Sequence, residues 1–153
     1  MKNDPFLKSM MPYALKLAED AANDGEVPVA ALITDQHGKI IAEAVNQVER
    51  DCDPTAHAEM QVIKKAAAVK GNIRLEDCDL WVTLEPCPMC AGAIAHARIR
   101  RLYFGAEDKK SGGVNNGPRV FSHPTCHHKP EVISGLYEKE SAALLKQFFK
   151  ERR

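Results

Sequence analysis

Long apolar runs are missing from this sequence. No run approaches the roughly 20 consecutive apolar residues that a membrane-spanning helix needs, and no internal repeat or low-complexity tract is present. The first residues, Met1 to Pro5, lack the apolar core of a secretory signal. These absences exclude a membrane partner for the chain and predict a cytoplasmic location.

Cysteine is scarce, and its count of five is odd. Disulfide scaffolds are typical of short secreted chains that cannot build an apolar core. This chain has 153 residues, of which 44% are hydrophobic, and a chain of that length buries about two-thirds of its unfolded surface. We therefore expect one domain over residues 1–153, in which the thiols serve as metal ligands, nucleophiles or buried filler.

A net charge is also lacking, because 21 Lys and Arg balance 21 Asp and Glu. The two halves differ, however: residues 1–97 hold 9 basic against 15 acidic side chains, and residues 98–153 hold 12 against 6. Such an asymmetry is one pointer to nucleic-acid contact. Two oppositely charged, solvated faces are the alternative, and the charges alone do not decide between them.

Apolar spacing and turn residues divide the chain into alternating helices and strands. Apolar residues at helical or buried spacing predict helices over 6–21, 56–70, 87–96 and 137–151. Short apolar runs between turn signals predict strands over 27–33, 39–45, 80–84, 101–105 and 132–133. A polar loop over 46–55 and a long loop over 106–130 remain. This order predicts an α/β fold, a central sheet with helices on both faces.

Two short motifs, each at the start of a predicted helix, carry the candidate chemistry. They are His57-Ala58-Glu59 and Pro86-Cys87-Pro88-Met89-Cys90. One imidazole and two thiolates form a three-ligand zinc shell, which leaves the fourth tetrahedral position for water. Glu59, two residues from His57, is placed to move the protons of that water. We therefore predict zinc ligands at His57, Cys87 and Cys90 and a catalytic carboxylate at Glu59.

Two other interpretations of the cysteine pair explain less. A Cys-x-x-Cys pair at a helix start also occurs in thioredoxin-like redox sites, but a redox site has no use for His57 and Glu59. A structural zinc site needs a fourth ligand, whereas the remaining thiols are isolated: Cys52, Cys78 and Cys126.

The order H-x-E followed by P-C-x-x-C is the general signature of zinc nucleobase deaminases. The sequence resembles the cytidine-deaminase-like superfamily and, within it, the branch of bacterial tRNA-specific adenosine deaminases. The resemblance covers nearly the whole chain. It rests on the segments 26–29, 53–59, 83–91, 97–101, 103–106, 135–136 and 148–149.

The resemblance implies a three-layer α/β/α fold with a central mixed sheet, one zinc ion per subunit and a homodimer. It also implies a substrate, the wobble adenosine of a tRNA anticodon stem-loop, which is hydrolysed to inosine. By the same resemblance the base is held by Asn46 and by the backbone around Ala58 and Glu85. The family's RNA contacts fall on Asp108, Lys110, Ser111 and His123. Ala30 and the segment 112–121 depart from the family pattern.

Two alternatives to tRNA editing follow from the same residues. A deaminase of free guanine, cytosine or a nucleoside uses the same zinc chemistry but does not need a basic, loop-rich C-terminal third. A non-catalytic RNA-binding or zinc-structural module has no use for Glu59. Turnover on competing substrates distinguishes these functions.

Overall fold

The computed structural model describes residues 9–152. It contains five helices and five strands, in the order α1 (Met11–Asn23), β1 (Ala30–Thr34), β2 (Ile40–Val45), α2 (Val48–Asp51), α3 (Ala58–Lys70), β3 (Asp79–Leu84), α4 (Pro88–Ala97), β4 (Arg101–Ala106), β5 (Glu131–Ile133) and α5 (Glu138–Glu151). A single 3-10 turn, Val120–Ser122, lies between β4 and β5. Within the described part of the chain, no helix is both long and apolar enough to cross a membrane.

The five strands form one mixed sheet in the order β2-β1-β3-β4-β5. β1 is antiparallel to both β2 and β3, whereas β3, β4 and β5 run parallel to one another. The carboxyl ends of β3 and β4 therefore lie side by side, and the Glu85 N–H donates to the Ala106 carbonyl at 2.9 Å just beyond them. Loops that follow parallel strands at one edge of a sheet commonly form ligand sites.

The helices cover both faces of the sheet, and the central strands β1, β3 and β4 are accordingly buried along nearly their whole length. On one face, α3 and α4 pack on alternate strand residues and share one core with them: Ala31, Ile33, Leu80, Val82, Leu102 and Phe104. On the other face, α1 packs on Leu32 and Trp81, and α5 packs on β3, β4 and α1. The expected three-layer α/β/α fold with a mixed sheet is confirmed.

On the sheet face that carries α1 and α5, a stacked aromatic pair joins β3 to β4, and one glycine lets α5 pack closely. Trp81 of β3 lies opposite Tyr103 of β4, with ring centroids 3.7 Å apart, and its indole N–H donates to the Thr34 hydroxyl at 3.0 Å. α5 approaches closely at Gly105, where a Cβ would lie 3.1 Å from the Ser141 Cβ and would also overlap the Thr83 carbonyl oxygen of β3. The Ser141 hydroxyl donates to that same carbonyl, so α5 is tied to β3.

The predicted elements match the structure best where the apolar pattern is long. α3 ends at Lys70 and α4 covers most of the predicted range, but the strand expected over 27–33 begins at Ala30. The loop expected over 46–55 contains the short helix α2. The predicted start of the first helix at Phe6 lies outside the described residues.

Candidate active site

Two helix N-termini bring the predicted metal ligands together. α3 and α4 pack against each other on the same face of the sheet, with His57 and Cys87 as their respective N-cap residues. Cys90 lies in the first turn of α4. Unpaired N–H groups and the helix dipole at such ends favour thiolate over thiol.

The geometry of this ligand group fits a small thiophilic cation. The His57 Nδ1 atom lies 3.5 Å from the Sγ atoms of both Cys87 and Cys90, and the three candidate donor atoms lie within 4.8 Å of one another. Among residues 9–152, no other group of three or more His, Cys, Asp or Glu has its ligand atoms gathered in this way. An imidazole and two sulfurs are donors that zinc prefers.

The pKa values of the two thiols are shifted in opposite directions. A hydrogen bond from Cys90 lowers the pKa of Cys87 to about 4, and a second interaction with His57 acts in the same direction. The same hydrogen bond, together with burial, raises the pKa of Cys90. The pair therefore shares one proton, and a cation that binds both sulfurs must displace it.

Glu59 lies in the first turn of α3 and is 4% exposed. Burial raises the pKa of Glu59 to about 7, and the Cys87 thiolate acts in the same direction. A carboxyl group with a pKa near neutrality can both accept and release a proton at physiological pH. The carboxyl also interacts with the Cys90 thiol, which places it beside the ligand group.

A cavity of about 310 Å³ opens over the ligand group. Its lining includes five of the seven residues predicted to bind substrate: Asn46, Ala58, Glu85, Asp108 and Ser111. Asn46 is buried, and its side-chain oxygen accepts a hydrogen bond from the Val48 amide at 3.4 Å. Ala58 is the first residue of α3, where a backbone N–H has no partner within the helix.

The other two predicted substrate contacts lie outside this cavity. Lys110 is exposed on the loop that follows β4. His123 lines a second cavity of about 410 Å³, between α4 and residues 118–127. Its Nε2 lies 2.5 Å from the Pro118 carbonyl oxygen. As RNA contacts, both residues stay predictions.

Two buried carboxylates beside the cavity were not predicted to act through their side chains. Glu85, 2% exposed, accepts hydrogen bonds from the loop after β4. Glu26, 4% exposed, accepts the backbone N–H groups of Glu49 and Arg50 at 2.9 and 3.3 Å, and thereby holds α2. The only sequence signal was that each is an acidic residue next to an apolar strand.

Comparisons with known proteins identify the family of this chain. Residues 5–106 match the family model of the cytidine and deoxycytidylate deaminase zinc-binding region. A tRNA-specific adenosine deaminase from Agrobacterium fabrum is 52% identical over 94% of this chain and 93% of its own length. The chain belongs to this family of deaminases.

Solved structures extend the comparison from sequence to fold. One, from a study of A-to-I editing by tRNA:A34 deaminases at the wobble position, superposes on this deaminase with a TM-score of 0.86. It is 51% identical, over 89% of this chain and 98% of its own. A guanine deaminase from Bacillus subtilis is 34% identical over 99% of this chain and 94% of its own, with a TM-score of 0.62.

Proposed function

We propose that this deaminase hydrolyses the wobble adenosine of a tRNA anticodon loop to inosine. The observation that carries the proposal is the buried carboxyl of Glu59 beside a three-ligand group, at the base of a cavity. Relatives over nearly the whole chain are tRNA-specific adenosine deaminases, which supports adenosine in tRNA over a free base.

His57, Cys87 and Cys90 would hold one zinc ion per subunit. When bound, such an ion activates a water molecule for attack on a carbon of the base. Two thiolates and an imidazole balance the charge of the ion, so the site does not become strongly cationic. The family match to a zinc-binding region supports zinc over other thiophilic cations.

Glu59 would move the protons of the reaction. It takes a proton from the attacking water and delivers one to N1 of adenine, which makes C6 more electrophilic. It then takes the remaining proton from the hydroxyl added at C6 and passes it to the departing amino group, so that the C–N bond breaks, ammonia leaves and the C6 carbonyl of hypoxanthine remains in the RNA. A pKa near 7 suits both directions of transfer.

The cavity walls would select the base. Asn46 and the backbone around Ala58 and Glu85 would hydrogen-bond the edge of the base, and Asp108, Lys110, Ser111 and His123 would contact the anticodon loop. An anticodon base is already unpaired, so little free energy is needed to place it in a pocket. We further propose that residues 1–153 form one domain and that the enzyme acts as a cytoplasmic homodimer.

Competing substrates test this function. Zinc-loaded protein is incubated with an anticodon stem-loop bearing a wobble adenosine, with its guanosine version, and with free adenine, guanine, cytosine and cytidine. We expect ammonia release and inosine from the adenosine stem-loop only. Turnover of guanine or cytosine, with none on RNA, would contradict the tRNA substrate and leave a free-base deaminase.

A further inference from the structure

Glu85 holds a buried position between the metal-ligand motif and the loop that follows β4. It comes directly after β3, two residues before Cys87, and is 2% exposed. The proton transfers proposed above use Glu59 and leave the Glu85 carboxylate without a role. A buried carboxylate is costly unless hydrogen bonds compensate for lost hydration, so its partners indicate what it does.

The Glu85 carboxylate accepts five hydrogen bonds, all from one loop. Its Oε2 accepts the consecutive backbone N–H groups of Val114, Asn115 and Asn116 at 3.1, 3.0 and 3.1 Å. Its Oε1 accepts the Asp108 N–H at 3.0 Å and the Asn116 side-chain amide at 2.6 Å. Consecutive N–H groups of this kind form a concave anion-binding site, and here the anion is the chain's own carboxylate.

The backbone of the same loop packs closely against the metal-ligand motif. The Gly113 N–H donates to the Pro86 carbonyl at 2.8 Å, and a Cβ on Gly113 would lie 2.6 Å from the Pro88 nitrogen. A Cβ on Gly112 would overlap the Glu85 carboxylate. Glycine at both positions therefore lets the loop reach Glu85 and lie against the turn that carries Cys87.

This loop also supplies part of the cavity wall. Asp108 and Ser111 line the cavity, and the Asp108 carboxylate accepts the N–H groups of Lys110 and Ser111 at 3.2 and 2.9 Å. We propose that Glu85 is a positioning residue, whose carboxylate holds the loop 108–116 at a set distance from the metal ligands. Because that loop carries three of the proposed RNA contacts, the effect on RNA rests on the proposed function.

Glu85→Gln is the most specific variant, because it keeps the shape of the side chain and replaces one carboxylate oxygen, a hydrogen-bond acceptor, with an NH2 donor. Whichever way the new amide turns, its NH2 group faces at least one backbone N–H of the loop. We expect faster amide exchange over residues 108–116, an unchanged zinc content, and affinity for the anticodon stem-loop about tenfold lower in a Glu59→Gln background, where no turnover occurs.

Asp79→Asn is the matched control, since Asp79 is equally buried and lies at the opposite end of the same strand. It should lower global stability while leaving RNA affinity and loop exchange unchanged. Gly112→Ala provides a second test that does not alter the carboxylate, and it should raise exchange in the same loop and weaken RNA binding.

Three results would overturn the inference. The first is amide exchange over 108–116 at the wild-type rate in both Glu85→Gln and Gly112→Ala. The second is an RNA affinity that is unchanged in both variants. The third is a loss of zinc in proportion to the loss of RNA affinity. If the Glu59→Gln parent binds no stem-loop at all, the proposed RNA substrate fails, and the exchange measurement alone then decides the role of Glu85.

Discussion

At the residue scale, the proton shared by Cys87 and Cys90 links metal binding to pH. Cys87 has a pKa of about 4, whereas the pKa of Cys90 is raised, so at neutral pH the proton resides on Cys90. A zinc ion that binds both sulfurs must release this proton. Low pH therefore favours the zinc-free form and high pH the bound form.

We accordingly predict that zinc affinity rises by at least about tenfold per pH unit between about pH 6 and 8, because the hydrogen bond with Cys87 also raises the pKa of His57, whose proton zinc must displace as well. Competition with a chelator of known affinity measures this dependence. Cys90→Ala should make the dependence shallower, leaving the part that His57 contributes, as well as weaken binding. An affinity independent of pH in the unaltered protein would show that zinc does not displace a thiol proton.

Single residues differ in how far sequence alone could assign them. His57, Cys87 and Cys90 lie in short motifs whose spacing is set by a helix start, so their geometry follows from local structure. The partners of Glu85 lie 23 to 31 residues further along, in a loop without periodicity. No sequence pattern connects them, and only the folded chain shows the contact.

At the element scale, β3 has a functional end and a structural end. Its last residue leads into Glu85 and the ligand motif, whereas Asp79 at its start accepts two hydrogen bonds from Arg100, at 2.9 and 2.7 Å. The Asp79 side chain is 4% exposed and that of Arg100 is 27% exposed. The pair joins the start of β3 to the turn before β4.

We predict that Asp79→Asn lowers the free energy of unfolding by about 2 kcal/mol, because a largely buried, charge-assisted bidentate pair is lost. The midpoint of urea unfolding measures the change. Asp77→Asn is the control. Asp77 forms an ion pair with Lys70 in which the Asp77 side chain is 48% exposed and that of Lys70 is 29% exposed, so the loss of unfolding free energy should stay below about 1 kcal/mol. Equal losses in the two variants would contradict the account of β3.

Elements with a regular local pattern of apolar or small residues were predicted well from the sequence. Elements held in place by residues distant in the sequence were not. α3 and α4 follow from their own spacing and small residues. α2 has four residues, none of them buried, and it is held by Glu26, more than twenty positions earlier. The placement of β1 between β2 and β3 also depends on pairing across the whole sheet, which local pattern does not encode.

At the scale of the whole molecule, the charge asymmetry predicts how RNA is held. Residues 98–153 carry 12 basic against 6 acidic side chains, and they include the loop after β4. Cations that neutralise phosphates release counterions, so binding weakens as salt rises. The resemblance to the family supplied the substrate, whereas the charge distribution alone left two solvated faces as an alternative.

We predict a steep fall in stem-loop affinity with salt, and a shallower slope in Lys110→Ala, by about 0.7 per phosphate contact removed. Fluorescence anisotropy at a series of salt concentrations measures both slopes. Lys16→Ala is the control, because Lys16 lies on α1 and pairs with Asp20 at 3.0 Å. Salt-independent binding, or equal slopes for both variants, would contradict a phosphate-binding role for the loop.

The central claim, that Glu59 moves the protons of a zinc-dependent deamination, is tested most directly by one comparison. Inosine formation from the wobble-adenosine stem-loop is measured for the unaltered enzyme and for Glu59→Gln, with zinc content determined on the same samples. We expect equal zinc and comparable RNA affinity, with turnover reduced by a factor of at least about a hundred. Inosine formation at the unaltered rate in the zinc-loaded variant would contradict the claim.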